Sequence, residues 1–128
     1  MWRRTLPSES EAERHLRLVR VAILLAEGGS GYFEWDERVR KRVPSEFDGL
    51  DAPFLKSLAI NHVKTGGRIR QKKEEDEEWL CKRRFDHWYS ICFEVDGLGY
   101  EAFMKISLEC DDEKVPEALI VGAHKSRD

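Results

Sequence analysis

The sequence feature that most constrains the fold of this chain is the alternation of apolar and polar residues between Tyr100 and Cys110. Every second residue is apolar, and mostly charged or hydroxyl residues stand between them; the apolar set is Ala102, Met104, Ile106 and Leu108. Successive side chains of a strand point to opposite faces of its sheet, so this pattern predicts one covered face and one face that is at least partly wet. The fold must therefore contain a sheet that other elements cover on one side.

Three further segments have the residue pattern of strands, at 68–73, 85–95 and 119–124. Turn-forming residues separate the last three strands, first at 96–99 and then at 111–114. Strands joined by short turns pair as antiparallel neighbours, because a parallel pair needs a long crossover connection. We therefore expect a four-stranded antiparallel meander over residues 68–125.

The N-terminal part of the chain has the signals of an amphipathic helix over residues 8–27. Ser8 is a good N-cap, and Glu11 stands three residues later, which together form a capping-box sequence. Apolar residues then recur at steps of three and four, and the second half is apolar almost all round. The glycines at 28–31 should end the helix. We expect its second half to be well buried.

A second helix is predicted over residues 51–65. Asp51 is its N-cap, and Pro53 lies in the first turn, where a missing N–H group does no harm. His62 falls on the apolar face of this helix, so it should point in the same direction as the core residues. The pair Gly66–Gly67 should end the helix.

The segment between the two helices is ambiguous. Tyr32–Trp35 has the residues to begin a strand. Trp35, Val39 and Val43, however, are spaced by four residues, which favours a short helix. Pro44 should end such a helix, because the residue before a proline disfavours helical backbone angles. Strand and helix both remain open for residues 32–43.

These elements fit one domain that spans residues 1–128, without an internal repeat or a low-complexity linker. We predict an α+β fold in which N-terminal helices pack on a four-stranded antiparallel meander sheet. The acidic run Glu74–Glu78 is expected to be an exposed turn or an extension of a strand, because such charge runs are usually solvated.

Composition indicates an ordinary globular protein, with 41% hydrophobic and 37% charged residues and a net charge of −3. This net charge does not indicate a nucleic-acid-binding protein, although local basic patches matter more than the total. Cys81, Cys92 and Cys110 include no CxxC pair, so neither a disulfide framework nor a zinc site is indicated. No signal-peptide pattern or long apolar run is present, so we expect a cytoplasmic protein.

Two histidines are candidates for proton transfer: His62 at the end of the second helix and His124 at the end of the last strand. Imidazole donates and accepts protons near neutral pH, which suits general acid–base catalysis. The predicted order of elements places them at the two ends of one sheet. His87, on the same strand face as Tyr89, is a further candidate. Each of these histidines is also compatible with a structural or surface role.

Basic residues cluster on strands that we expect to pair: Lys64, Arg68, Arg70, Lys72 and Lys73 in one group, and Lys82, Arg83 and Arg84 in the other. Trp88 and Tyr89 lie close to this strip in the predicted sheet. Cations interleaved with aromatic residues suit single-stranded RNA, whose phosphates pair with cations and whose bases stack. The candidate substrate-binding residues are Lys64, Lys72, Arg83, Arg84 and Trp88. The alternative is a set of solvated charges that balance the acidic run.

Residue spacing indicates neither a metal site nor a cofactor. The histidines and cysteines lack the spacing of metal ligands. Gly66–Gly67 beside Lys64 and Thr65 is not a phosphate loop, because such a loop needs a strand before its glycines and a helix after them. Here that order is reversed, so we expect no bound nucleotide, metal or other cofactor.

The order of elements over Asp51–Lys125 resembles that of the small ribonuclease toxins of the RelE and barnase-like class, which pair with antitoxins in bacteria. The resemblance lies in topology and residue placement. It implies a metal-independent endoribonuclease that acts on the RNA 2′-hydroxyl and the scissile phosphate, with a cognate antitoxin as partner. The implied site residues are Arg68 and Arg70 for phosphate binding and His62, His124 or His87 for proton transfer, with Tyr89 assisting.

A non-catalytic interaction protein, such as an antitoxin, an immunity protein or a subunit of a small complex, is the alternative. Four tryptophans and an exposed sheet face suit a partner interface; these are Trp2, Trp35, Trp79 and Trp88. The long first helix suits a partner contact or a homodimer. The enzyme is favoured if His62, His124 and the two arginines meet in one cleft, and the interaction protein is favoured if they are scattered.

Overall fold

The computed structural model describes residues 9–28, 31–95 and 97–126. Its helices are α1 (Glu11–Leu25, followed by a 3₁₀ turn at Ala26–Gly28), α2 (Glu37–Glu46), α3 (Ala52–Lys64) and α4 (Glu77–Lys82). Its strands are β1 (Phe33–Trp35), β2 (Arg70–Lys73), β3 (His87–Val95), β4 (Tyr100–Cys110) and β5 (Glu117–Lys125). No helix in these ranges has both the length and the apolar character needed to cross a membrane.

The predicted α+β class is confirmed, but the sheet is larger than predicted. It has five strands in the order β1-β5-β4-β3-β2. The antiparallel meander of β2 to β5 is present, and β1 adds to its edge in parallel with β5. The four predicted strands do form this meander, but the prediction omitted the fifth strand, which makes the sheet mixed. A three-residue strand is too short to show alternation, and its pairing partner lies far away in the sequence.

β1 and α2 together resolve the ambiguous segment, because both of the alternatives occur in succession. Phe33, the first residue of β1, is fully buried, and the main chain on either side of the strand bonds to β5. Asp36 then caps α2 by accepting from the backbone N–H groups of Arg38 and Val39. A strand and a helix therefore share a segment in which local propensity alone could not separate them.

Three local predictions about the helices need correction. The capping box of α1 is formed by Ser10 and Glu13, and Ser8 lies outside the described residues. Pro44 does not end α2, which continues to Glu46 because the buried residues Val43 and Phe47 hold its last turn. The second half of α1 is buried on one side only, since Leu24 and Leu25 are exposed.

α3 confirms its predicted N-terminus, whereas α4 was missed. The Asp51 side chain accepts from the backbone N–H of Phe54, and Pro53 lies within the first turn. α4 lies in the region expected to be a turn or strand extension. Asp76 caps it by accepting from the N–H of Glu78. A helix of six residues is too short to show an apolar period, so only its contact with the sheet reveals it.

α1 and α3 cover one face of the sheet and create the hydrophobic core. The alternation in β4 is confirmed, since its four apolar residues at 102–108 are at most 1% exposed. They pack with Tyr89 and Ile91 of β3, Ile120 of β5, and Leu18, Ile23 and Leu55 of the helices. The opposite face of the sheet, which we call the open face, is covered only in part by α4 in the described chain.

Candidate functional site

On the open face, paired residues of neighbouring strands line up in rows across the sheet. One row contains Arg70, Ser90, Lys105 and Gly122, and the next contains Cys92, Phe103 and His124. A third row places Glu94 directly opposite Glu101. The face is therefore basic toward one end and acidic at the other. This gradient comes from strand pairing and not from any contiguous sequence motif.

A cleft of about 470 Å³ opens where the basic and acidic ends meet. We call it the His62 cleft. It is lined by His62, Arg68, Arg70, Ser90, Cys92, Glu101, Phe103 and Ser126. These residues come from the end of α3, from β2 and the segment before it, from β3 and β4, and from the residue after β5. Three of the predicted catalytic residues, His62, Arg68 and Arg70, thus meet at one site.

The glycines after α3 determine how His62 reaches the cleft. Gly66 has a φ of 93°, a left-handed conformation that glycine adopts without strain. The N–H of Gly67 then donates to the carbonyl oxygen of His62 at 2.7 Å, and the chain turns back against the imidazole. The ring also lies 6.0 Å from the Phe93 ring. These glycines therefore end the helix, as expected, and Gly67 also packs closely against His62.

Replacing Gly67 with alanine will therefore disturb the site. The added Cβ would overlap both Nε2 and the backbone carbonyl oxygen of His62. We expect a loss of about 1–3 kcal/mol in the free energy of unfolding, the usual cost of overpacking. Chemical denaturation measures this loss.

The matched control is Gly28→Ala, because a Cβ at Gly28 would meet no atom within 4 Å. This control should change stability by less than about 1 kcal/mol. Equal stability of the Gly67→Ala variant and the wild type would show that His62 does not pack against Gly67.

The charges in the cleft are not neutralised locally. Within residues 9–28, 31–95 and 97–126, Arg68, Arg70 and Glu101 form no salt bridge, and both arginines are exposed. Glu94 and Glu101 face each other across β3 and β4, and like charges in this position destabilise a sheet. Two unpaired cations beside a carboxylate and an imidazole can bind an anion and transfer protons next to it.

His124 lies beside the cleft and does not line it. Its ring stacks on Phe103 with centroids 4.8 Å apart. Nδ1 must donate to the carbonyl oxygen of Lys125, 2.9 Å away, because a carbonyl only accepts. Nε2 is then the nitrogen that remains for a ligand. Only His62 of the predicted pair of histidines therefore lines the cleft, and His124 stacks on Phe103, one of the lining residues.

Tyr89 does not fit its predicted role. It follows Trp88 on β3, so the two side chains point to opposite faces, and Tyr89 is fully buried in the core. Its hydroxyl accepts from Gln71 at 2.9 Å, and burial raises the pKa of the hydroxyl to about 12. A phenol in this position does not meet a ligand on the open face. His87 lies on the same strand face, and its Nδ1 is 3.0 Å from an Asp86 oxygen.

The predicted substrate-binding residues are divided among several places. Lys72 and Trp88 pair across β2 and β3 on the open face, with the ammonium 5.8 Å from the indole centroid. Arg83 lies over Trp79 and 3.5 Å from Glu109, whereas Arg84 is exposed beside Phe85. Lys64 forms an ion pair with Glu27 at the end of the α1 region, away from the His62 cleft. The predicted basic strip is therefore only partly formed.

Comparison with protein-family models, curated proteins and solved structures finds no match to this chain. The function is therefore inferred from the residues of the site. Sequence reasoning placed Glu101 and Lys105 on the face of β4 opposite the apolar set, but it did not identify them or Phe103 as candidate site residues. Their signal was present, because they occupy the face of β4 opposite to the apolar set.

A second cluster of polar side chains, at Glu11, His15 and Asp111, has the composition of a metal site. Arg14 occupies its centre, with Nη1 2.9 Å from both carboxylates. The Arg14 guanidinium lowers the pKa of Asp111 by hydrogen bonding. A metal ion would have to displace this permanent cation. The cluster is better explained as an ion-pair network that holds α1 against the turn between β4 and β5.

Proposed function

We propose that this protein is a metal-independent endoribonuclease that cleaves single-stranded RNA in the His62 cleft. The observation that carries the proposal is the convergence in one cleft of an imidazole, a carboxylate and two guanidinium groups that form no ion pair among the described residues. Arginine binds phosphate oxygens through several N–H groups, and a phosphodiester needs both charge stabilisation and proton transfer for cleavage.

The proposed reaction uses Glu101 as the base and His62 as the acid. The Glu101 carboxylate removes the proton of a ribose 2′-hydroxyl, and that oxygen attacks the adjacent phosphorus. Arg68 and Arg70 bind the phosphate oxygens, on which negative charge increases. The bond from phosphorus to the 5′ oxygen breaks, and His62 donates a proton to that oxygen. The products are a 2′,3′-cyclic phosphate and a 5′-hydroxyl.

The test is an RNA cleavage assay with purified protein in the presence of a chelator. A labelled single-stranded RNA should yield products that end in a cyclic phosphate, while DNA of the same sequence stays intact because it lacks the 2′-hydroxyl. Expression in a bacterial host should arrest growth if the protein is the toxin of a toxin–antitoxin pair. Intact RNA in the assay together with normal growth would disprove the proposal.

The second candidate is a non-catalytic interaction protein. It is favoured by apolar side chains exposed on the helical layer, namely Leu24 and Leu25 of α1 and Phe54 of α3. A homodimer through α1 or a cognate partner on this layer would cover them. Leu24, Leu25 and Phe54 do not line the His62 cleft, so such a contact is also compatible with an enzyme. Absence of cleavage, combined with self-association, would favour this candidate.

A further inference from the structure

Lys105 lies between two tryptophans on the open face. Its ammonium is 4.8 Å from the indole centroid of Trp79 and 4.5 Å from that of Trp88. Trp79 comes from α4, and its Nε1 donates to the carbonyl oxygen of Phe85 at 3.2 Å, which holds the indole over the sheet. This cluster is built by three separate elements: α4, β3 and β4.

A pocket of about 280 Å³ lies beside this cluster. Its lining combines Trp79, Lys105 and Val121 with a rim of charged residues, which are Glu74, Asp76, Glu78, Lys82 and Arg83. Lys82 and Arg83 are already paired with Glu78 and Glu109. Among the described residues the carboxylates of Glu74 and Asp76 form no ion pair, so they disfavour a phosphate at the rim, whereas an indole wall favours the flat face of a nucleobase. The pocket is thus suited to a base and not to the RNA backbone.

The backbone has a separate path along β2. Arg70 and Lys72 are both exposed on the open face and pair with Ser90 and Trp88 of β3. Neither cation forms a salt bridge among the described residues. A strand whose scissile phosphate lies at Arg70 can therefore place its next phosphate near Lys72. Its next bases then face Trp88 and Trp79.

The two sites are separated by a distance that single-stranded RNA can span. Trp88 and Cys92 are four residues apart on β3, which is about 13 Å along an extended strand. In the other direction, Glu94 lies directly opposite Glu101 of the cleft, so this end of the open face is acidic. Phosphates are therefore favoured on the tryptophan side of the cleft and disfavoured on the acidic side.

We propose that Trp79, Lys105 and Trp88 form a base-stacking subsite for RNA whose scissile phosphate lies in the His62 cleft. The substrate class is then single-stranded RNA that continues for a few nucleotides from the cleft toward α4. This inference rests on the proposed function. A dinucleotide would contact the His62 cleft only, whereas a longer strand would also contact the two tryptophans.

The test compares binding of a dinucleotide and an octanucleotide whose 2′-hydroxyls are methylated, so that neither is cleaved. Fluorescence anisotropy at fixed, low salt measures the affinities of wild type and of Trp79→Ala, because salt strongly affects such binding. The variant should bind the octanucleotide about 5- to 150-fold more weakly, the usual effect of losing one stacked base, and it should bind the dinucleotide as tightly as the wild type does. In cleavage of long RNA it should raise KM and leave kcat unchanged.

Trp88→Phe provides a second variant, because it keeps a ring at this half-buried position and should weaken octanucleotide binding less than Trp79→Ala does. Trp35→Phe on β1 is the matched control and should bind both probes as the wild type does. Wild-type octanucleotide affinity in Trp79→Ala would overturn the subsite and leave the proposed function standing. A wild type that neither binds nor cleaves RNA would overturn both proposals.

Discussion

Replacing His62 with alanine will lower kcat for RNA cleavage by about 10²- to 10⁴-fold, the range in which a positioned acid or base contributes. In the proposed reaction the 5′ oxygen leaves as an alcohol only if it receives a proton, and His62 is the imidazole in the cleft. Substrate binding should change little, because Arg68 and Arg70 remain. Single-turnover kinetics with excess enzyme separates these two effects.

His87→Ala is the matched control for this experiment, since His87 is also half-buried but does not line the His62 cleft. It should retain the wild-type rate. Because His62 packs beside Gly67, denaturation of the His62→Ala variant must show that the fold is intact. If the variant is folded and cleaves RNA at the wild-type rate, His62 is not the proton donor, and the proposed mechanism lacks its acid.

The largest expected effect on stability is at Phe33. Its ring is fully buried on β1, where it packs in the core that α1 and α3 form with the sheet. Replacing it with alanine should reduce the free energy of unfolding by about 3–5 kcal/mol, because the substitution removes apolar contacts and leaves a cavity. Urea denaturation at constant pH gives this difference from the midpoint and slope.

Phe54→Ala is the same chemical change at a position that is 45% exposed on α3. It should alter stability by less than about 1 kcal/mol, as most surface substitutions do. Similar losses for the two variants would mean that β1 does not pack against the core as described. The pair therefore tests the packing of the fifth strand, whose pairing with the sheet the sequence pattern did not predict.

Local patterns in the sequence predicted the elements whose signals lie within a few residues. The bounds of β4 agree with the predicted segment, and the ends of β2, β3 and β5 lie within about two residues of the predicted ends. Asp51 was identified as the cap of α3, and the apolar face of β4 was identified from its period of two. Caps and periodicity act between near neighbours, so one sequence is enough to reveal them.

The pairing of β1 with the sheet and the helix α4 escaped prediction because they depend on partners far away in the chain. β1 exists through its pairing with β5, and α4 is positioned by contacts of Trp79 and Arg83 with the open face. Neither segment is long enough to show its own period. Their stability comes from tertiary contacts, which a single sequence does not display.

The residues of the site also fall into two groups, those that the sequence indicated and those that only the tertiary structure decided. His62, Arg68 and Arg70 lie within nine residues, so the sequence alone indicated a helix end, a glycine turn and a basic strand that could act together. Only the tertiary structure decided that Glu101 and Phe103 complete the cleft, that His124 stacks outside it, and that Tyr89 faces the core. Strand register brings distant residues into one row, and a shift of one residue would reverse every side chain between the two faces.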